Sequence, residues 1–195
     1  NLGNTFLGLD RLEEAEASFK QAILLRSDFA LAHYNLGITL KALGRLEEAE
    51  ASYRKAIVLK LNYAEVHSNL GITLIEMDRL REAEASFRQA IILKSNYAEA
   101  HNNLGISLKE MNRSDEAEAS YRHAIALKPD YADAHRNLGV TLYDLGRLEE
   151  AEESYTHAIA LKTDFTTALM NRWQLLFDKG EFDTALRDAD SCNTR

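Results

Sequence analysis

Residues 98–131 read AEAHNNLGISLKEMNRSDEAEASYRHAIALKPDY, and nearly the same line is written before and after them. Leu36, Leu70, Leu104 and Leu138 recur every 34 residues, and each is followed by a glycine, Gly37, Gly71, Gly105 and Gly139. A constant step of this size marks a stacked array in which each unit is one supersecondary element. The units run over residues 1–29 (truncated), 30–63, 64–97, 98–131, 132–165 and 166–195, the last diverging from the rest. They are expected to form one array over residues 1–195.

Each unit holds two helical patterns separated by a turn. Within residues 30–63, Leu36, Leu40 and Leu43 form one apolar face. Leu46, Ala49, Tyr53, Ala56, Ile57 and Leu59 form a second. Both have the spacing of an amphipathic helix. Helices of about 13 or 14 residues are marginal alone in water, so packing must hold them. Gly44, Asp78, Asn112, Gly146 and Gly180 stand between the two patterns, and these residue types tolerate the left-handed conformation that ends a helix. Asp28, Asn62, Asn96, Asp130 and Asp164 precede the next unit and are expected to be N-caps. Glu65 and Glu99 are placed to complete a capping box, and Pro129 sits where it disrupts no helix interior. The recurring glycine is expected to let the two helices approach closely. Ala49, Ala83, Ala117 and Ala151 repeat the small volume, with Phe19, Tyr53, Phe87, Tyr121 and Tyr155 filling the space beside them. In the last unit Arg172 and Trp173 replace the Leu-Gly pair and Ala189 replaces the aromatic, as expected of an end cap.

Composition excludes several classes. The net charge of −8 argues against a general nucleic-acid surface, which relies on clustered Lys and Arg. The single cysteine, Cys192, leaves no internal disulfide framework and no multi-cysteine zinc site. It is compatible with a reducing compartment, and a cytoplasmic location is the expectation. No apolar run approaches the roughly 18 residues of a membrane helix. The chain begins at Asn1, inside a repeat, and reads as part of something longer. Leu2 and Phe6 in that first helix are expected to be incompletely covered, which would allow end-to-end self-association.

The quoted residues resemble a known family. The pattern A-x-x-x-x-N-L-G-x-x-L, a turn, then E-A-x-x-x-[FY]-x-x-A-[ILV] is similar to the tetratricopeptide repeat (TPR) over the whole chain. One departure is regular: His33, His67, His101 and His135 stand where the family often has a bulky aromatic. The resemblance implies an all-α fold, a right-handed superhelical α-solenoid of antiparallel helix pairs. It also implies a concave face, lined mainly by the first helix of each unit, that binds peptide or protein segments. The implied role is a protein–protein interaction scaffold; no enzyme activity and no cofactor are expected, since the residues offer no Gly-rich phosphate loop, no HExxH and no nucleophile placed beside a base. The alternative is the substrate-recognition region of a larger enzyme, resembling the TPR region of the O-linked N-acetylglucosamine transferases.

Candidate partner-binding residues follow. Asn1, Asn35, Asn69, Asn103, Asn137 and Asn171 precede the Leu-Gly position, and an amide offers a donor and an acceptor that match a peptide bond. Such a ladder resembles the asparagine ladder of the O-linked N-acetylglucosamine transferases. The structural alternative is that the amides bond between neighbouring first helices. By resemblance Ile38, Ile72, Ile106 and Val140 form an apolar stripe in the groove, bordered by Tyr34 and Tyr143, with Asn102 and Arg136 facing the same side. Glu65, Glu76, Glu99, Glu110, Asp133, Asp144 and Asp178 supply acids there, against Lys41, Lys109 and Arg136. That surplus favours a partner segment that is neutral to basic.

Other readings find less support. The carboxylate clamp of chaperone-binding TPR proteins is absent: its lysine sites hold Tyr34, Ser68, Asn102 or Arg136, and Glu65, Glu99 or Asp133. Its second asparagine site holds Ile38, Ile72, Ile106 or Val140. The recurring histidines lie on helices about 8–10 Å apart, too far for several to share one zinc ion, so packing or pH-sensitive contacts between helices are expected. His123 and His157 read as surface residues. The doublets Glu13-Glu14, Glu47-Glu48 and Glu149-Glu150 suit the positive end of a helix dipole and do not form a catalytic pair.

Overall fold

The computed structural model describes residues 2–9, 11–59, 63–162 and 166–185. The backbone divides into two compact units, residues 1–95 and 96–195. The first contains α1 (Leu2–Gly8), α2 (Leu12–Leu25), α3 (Ala30–Ala42), α4 (Leu46–Val58), α5 (Ala64–Glu76) and α6 (Leu80–Leu93). The second contains α7 (Ala98–Glu110), α8 (Ser114–Leu127), α9 (Ala132–Asp144), α10 (Leu148–Leu161) and α11 (Thr166–Asp178). A helical turn at 182–185 follows, and there is no strand among the described residues. In both units each helix packs on the next, and first helices of successive repeats also touch, α3 on α5, α7 on α9 and α9 on α11.

The core of every repeat is one contact. A Cβ placed on Gly37, Gly71, Gly105 or Gly139 would lie 2.6–2.7 Å from the ring of Tyr53, Phe87, Tyr121 or Tyr155. Those rings are at most 2 % exposed, so none can swing aside. Gly3 meets Phe19 in the same way at 2.6 Å. The ring occupies the slot that the missing side chain leaves. Ala49, Ala83, Ala117 and Ala151 are wholly buried beside it.

The turns between paired helices agree with the sequence. Gly44, Gly146 and Gly180 have φ of 73–77°, and Asp78 and Asn112 have φ of 57° and 59°. These five positions are the left-handed stops that close each first helix. The starts differ from expectation. The N-cap positions of α3, α7 and α9 are Phe29, Tyr97 and Tyr131, and none makes a side-chain cap bond. Asp28, Asn96 and Asp130 lie one residue earlier, in the turn, where the carbonyls of Asp28 and Asp130 accept from the N–H of Ala30 and Ala132. An aromatic stands at the cap position instead, and two of these rings take a cation: Arg26 lies 4.0 Å over Phe29 and Lys128 5.0 Å over Tyr131. The capping-box reading of Glu65 and Glu99 also gives way. Their carboxylates pair with Lys94 and Lys128 at 3.2 and 3.4 Å. Asn62 and Asp164 lie outside the described residues.

Second helices begin on arginine, an unusual N-cap. Arg45, Arg79 and Arg147 fold onto Glu48, Glu82 and Glu150 three residues on. Each also reaches back to the preceding repeat, to Glu16, Glu50 and Glu118 at 2.6–2.8 Å. The acidic doublets therefore serve the helix start through an arginine as well as through the dipole. Buried hydroxyls need no partner helix: Thr39, Thr73, Ser107 and Thr141 donate to the carbonyl four residues earlier.

The last repeat packs around its own aromatics. Trp173 stacks on Phe177 at 5.6 Å, and Phe177 meets Phe182 edge-on at 5.3 Å. Leu175 and Leu176 are buried while Met170, Phe177 and Phe182 are exposed. Ala189 and Cys192 lie outside the described residues, as does the side chain of Leu2. Phe6 is half-buried, with the Arg11 guanidinium 4.6 Å over its ring.

Two predictions follow from this packing. In an open helix Gly105→Ala would stabilise by about 1 kcal/mol. Here overpacking against Tyr121 costs roughly 1–3 kcal/mol, so net destabilisation is expected in urea unfolding, and it should vanish in a Tyr121→Ala background. A Gly105→Ala protein as stable as wild type would refute the slot. The second concerns acid. Burial lowers the His67 value below 6.5, so its neutral form belongs to the fold, and stability is lost as pH falls below about 6.5. The Arg147 hydrogen bond holds Glu150 below 4.5, so that contribution is present above 4.5 and is lost below it. His67→Gln should remove part of the loss above pH 4.5, and Arg147→Met part of the loss below it, read from urea midpoints across pH. Unchanged profiles in both variants would contradict the assignment.

Candidate functional site

The first helices carry the residues that the sequence proposes for a partner, and the structure binds many of them to one another. Asn69 Nδ2 donates to the Tyr34 hydroxyl at 3.0 Å, across successive first helices of the first unit. In the second unit Asn137 Nδ2 donates to Asn102 Oδ1 at 2.9 Å by the same step of 35 residues. Arg136 Nη2 donates to Asn137 Oδ1 at 2.7 Å, and Asn102 Nδ2 to Asn103 Oδ1 at 3.3 Å. Asn35, Asn102 and Asn137 are buried, whereas Asn69 and Asn103 are half-buried. Asn69 and Asn137 thus form rungs between helices, and Asn69, Asn103 and Asn171 are the half-buried members of the set. Asn1 lies outside the described residues.

A second set of rungs runs along the far end of the same helices. Lys41 pairs with Glu76 at 2.7 Å and Lys109 with Asp144 at 2.8 Å. Tyr143 donates its hydroxyl proton to Asp178, a bond that raises its value above that of an ordinary tyrosine. With Glu65 and Glu99 held by lysines, five of the seven acids counted on this face are engaged. The carboxylates of Glu110 and Asp133 enter no ion pair among the described residues. The surplus of acids therefore lies largely within bonds of the array.

Between α7 and α9 these residues enclose a cleft of about 260 Å³. Ile106 and Val140 supply aliphatic surface, and Lys109, Glu110, Arg136 and Asn137 supply polar groups over Tyr121. Burial pushes the Tyr121 hydroxyl well above an ordinary tyrosine, so it stays protonated in the working range of pH. Ile38 and Ile72 are half-buried on α3 and α5 of the first unit. The cleft is where predicted residues from two repeats converge: Ile106, Lys109, Arg136, Asn137 and Val140.

The histidines make a pattern that the sequence reading missed. His101 stacks on His123 with ring centroids 5.3 Å apart, and His135 on His157 at 5.5 Å. Both contacts cross the two helices of one repeat. The signal was a spacing of 22 residues, at which the earlier repeats offer Lys55 and Gln89 instead. His135 Nε2 donates to the Pro129 carbonyl at 3.0 Å, and His33 Nε2 to that of Ser27 at 3.1 Å. Among the described residues no group of three or more His, Cys, Asp or Glu is placed to hold a metal ion. None of the described helices is long and apolar enough to cross a membrane.

Comparison with known proteins places this geometry. No curated protein matches the sequence. Among solved structures, YrrB, described as a TPR protein with an unusual peptide-binding site, is 28% identical with a TM-score of 0.74. That match covers 87% of this chain and 88% of YrrB. The crystal structure of MamA is 24% identical with a TM-score of 0.78, over 84% of this chain and 95% of MamA. PilF of Pseudomonas aeruginosa is 20% identical with a TM-score of 0.83, over 99% of this chain and 85% of PilF. The last two likenesses concern the fold. Family profiles described as tetratricopeptide repeat match residues 1–61 and 104–165, and residues 64–97. These matches cover well over half of the sequence, and the ring-in-slot helix pair recurs through it: the chain belongs to the tetratricopeptide repeat family.

Proposed function

We propose that this chain is a non-catalytic interaction scaffold that takes an extended segment of a partner protein on its first-helix faces. The observation that carries this reading is the cleft between α7 and α9, with aliphatic Ile106 and Val140 beside the polar Lys109, Glu110, Arg136 and Asn137. Aliphatic surface with a few directed polar groups is the usual character of a site for a small ligand or side chain. YrrB, the 28% identical relative, is described as having a peptide-binding site, which supports the same use of the fold here. Asn103 and Asn69 add amides that a peptide backbone can meet, and Tyr34 and Tyr143 border the faces. The net charge of −8 favours a segment that is neutral to basic overall, through long-range attraction that salt weakens.

The amides should separate by role. Asn137→Ala removes a buried rung and strands Asn102 and Arg136, a loss of roughly 1–3 kcal/mol in unfolding free energy. Asn103→Ala, which gives up only the 3.3 Å bond from Asn102, should cost less stability than Asn137→Ala and should weaken partner binding. The reading itself is tested with a display library of natural protein fragments selected on wild type and on Ile106→Asp/Val140→Asp. Enrichment of fragments on wild type, lost in the double variant with an unchanged circular dichroism melt, is the expected result. Equal enrichment on both proteins would remove the cleft from the function.

A further inference from the structure

The polar wall of the second unit has a direction. A guanidinium can only donate, so the 2.7 Å bond from Arg136 Nη2 fixes the carbonyl end of Asn137 towards it. The Asn137 amide nitrogen must then face away, and it donates to Asn102 Oδ1 at 2.9 Å. Asn102 is left to donate onward, to Asn103 Oδ1 at 3.3 Å. One cation thereby engages the carbonyl ends of three amides in succession. The first unit lacks the device. There Asn69 gives its nitrogen to a tyrosine hydroxyl and keeps its carbonyl clear of that bond.

We infer that the cleft between α7 and α9 reads a carboxylate, an Asp or Glu side chain of the partner segment, and that Arg136 is the residue that sets this preference. The inference rests on the scaffold reading above and specifies one contact within it. Each of the three amide carbonyls already accepts one bond, while N–H groups remain on all three, both hydrogens included on half-buried Asn103, one turn before the cleft residue Ile106 on α7. A ligand carboxylate satisfies several such donors at once, through charge-assisted bonds about twice as strong as neutral ones. Aliphatic neighbours in the segment would rest on Ile106 and Val140. A Lys or Arg side chain would meet amide carbonyls that each already accept one hydrogen bond, and only Glu110 as a carboxylate outside an ion pair in the cleft. Glu110 opposes an anion in the same space, so it lowers the affinity without setting the preference. The segment remains neutral or basic overall and contributes one acid here.

Selection of a random dodecapeptide display library on wild type, Arg136→Leu and Glu110→Gln tests the inference. Peptides recovered on wild type should carry Asp or Glu next to aliphatic residues. Labelled copies should bind about tenfold more weakly to Arg136→Leu. Replacing the peptide acid by its amide should cost a similar factor on wild type and little further on Arg136→Leu. Glu110→Gln should tighten binding, and because Glu110 holds no ion pair this arm does not depend on how Arg136→Leu folds. Recovered peptides rich in Lys or Arg that weaken on Glu110→Gln would overturn the inference and leave the scaffold reading standing. Acid-bearing peptides indifferent to Arg136→Leu would do the same. Recovery of no peptide above background on any of the three proteins would end both.

Discussion

Everything in this structure depends on an aromatic ring lying where a side chain is missing. The second helix of a repeat can reach the first only because Gly37, Gly71, Gly105 and Gly139 carry no Cβ, and the buried ring opposite uses that space. Close approach brings the wholly buried alanines beside the ring and sets how the outer faces of the first helices stand. The ring matters more than its hydroxyl. Phe19 and Phe87 occupy the same place as Tyr53 and Tyr121, and the Tyr53 hydroxyl is buried without a hydrogen-bond partner. Tyr121, by contrast, sits under a cleft.

This architecture was legible because its causes are local. The Leu-Gly pair, the aromatic sixteen residues later and the Gly, Asp or Asn stops each act within one repeat, and 34-residue recurrence multiplies the signal. The stops Asp78 and Asn112 were readable beside glycine because their short polar side chains tolerate positive φ. The helix starts were misread for a physical reason. Asp28 and Asp130 look like caps in sequence, yet the cap position falls one residue later, on Phe29 and Tyr131, where a neighbouring cation lies over the ring. Propensity for a cap is worth about 1 kcal/mol, and a ring–cation contact is of the same order.

The site was legible as a list and not as an arrangement. Resemblance to the family was enough to propose Ile106, Val140, Lys109, Arg136 and Asn137 for one face, and a cleft gathers them. It was not enough to show that Asn102 and Asn137 spend themselves on each other, or that Lys109 is tied to Asp144. Those bonds link residues 35 apart, and whether such a pair meets depends on both residue types at once. A count of charges treats every acid as open to a partner. Ion pairing within the array leaves far fewer.

The spacings of these bonds have a consequence for how such a chain can change length. The ring and its slot belong to one repeat. The arginine stitches and the asparagine and lysine rungs each join a repeat to its immediate neighbour, at separations of 29 and 35 residues. Inserting or deleting one whole 34-residue repeat therefore breaks one set of stitches and rungs and permits another of the same kind to form at the new junction. Insertions of any other length would separate every bond that spans them from its register. Genes for arrays of this kind can grow or shrink by duplication of a unit without repair elsewhere in the fold. The groove is different: Arg136 and its three amides occur once, so a duplication lengthens the scaffold without copying that chemistry unless it takes residues 98–137 together.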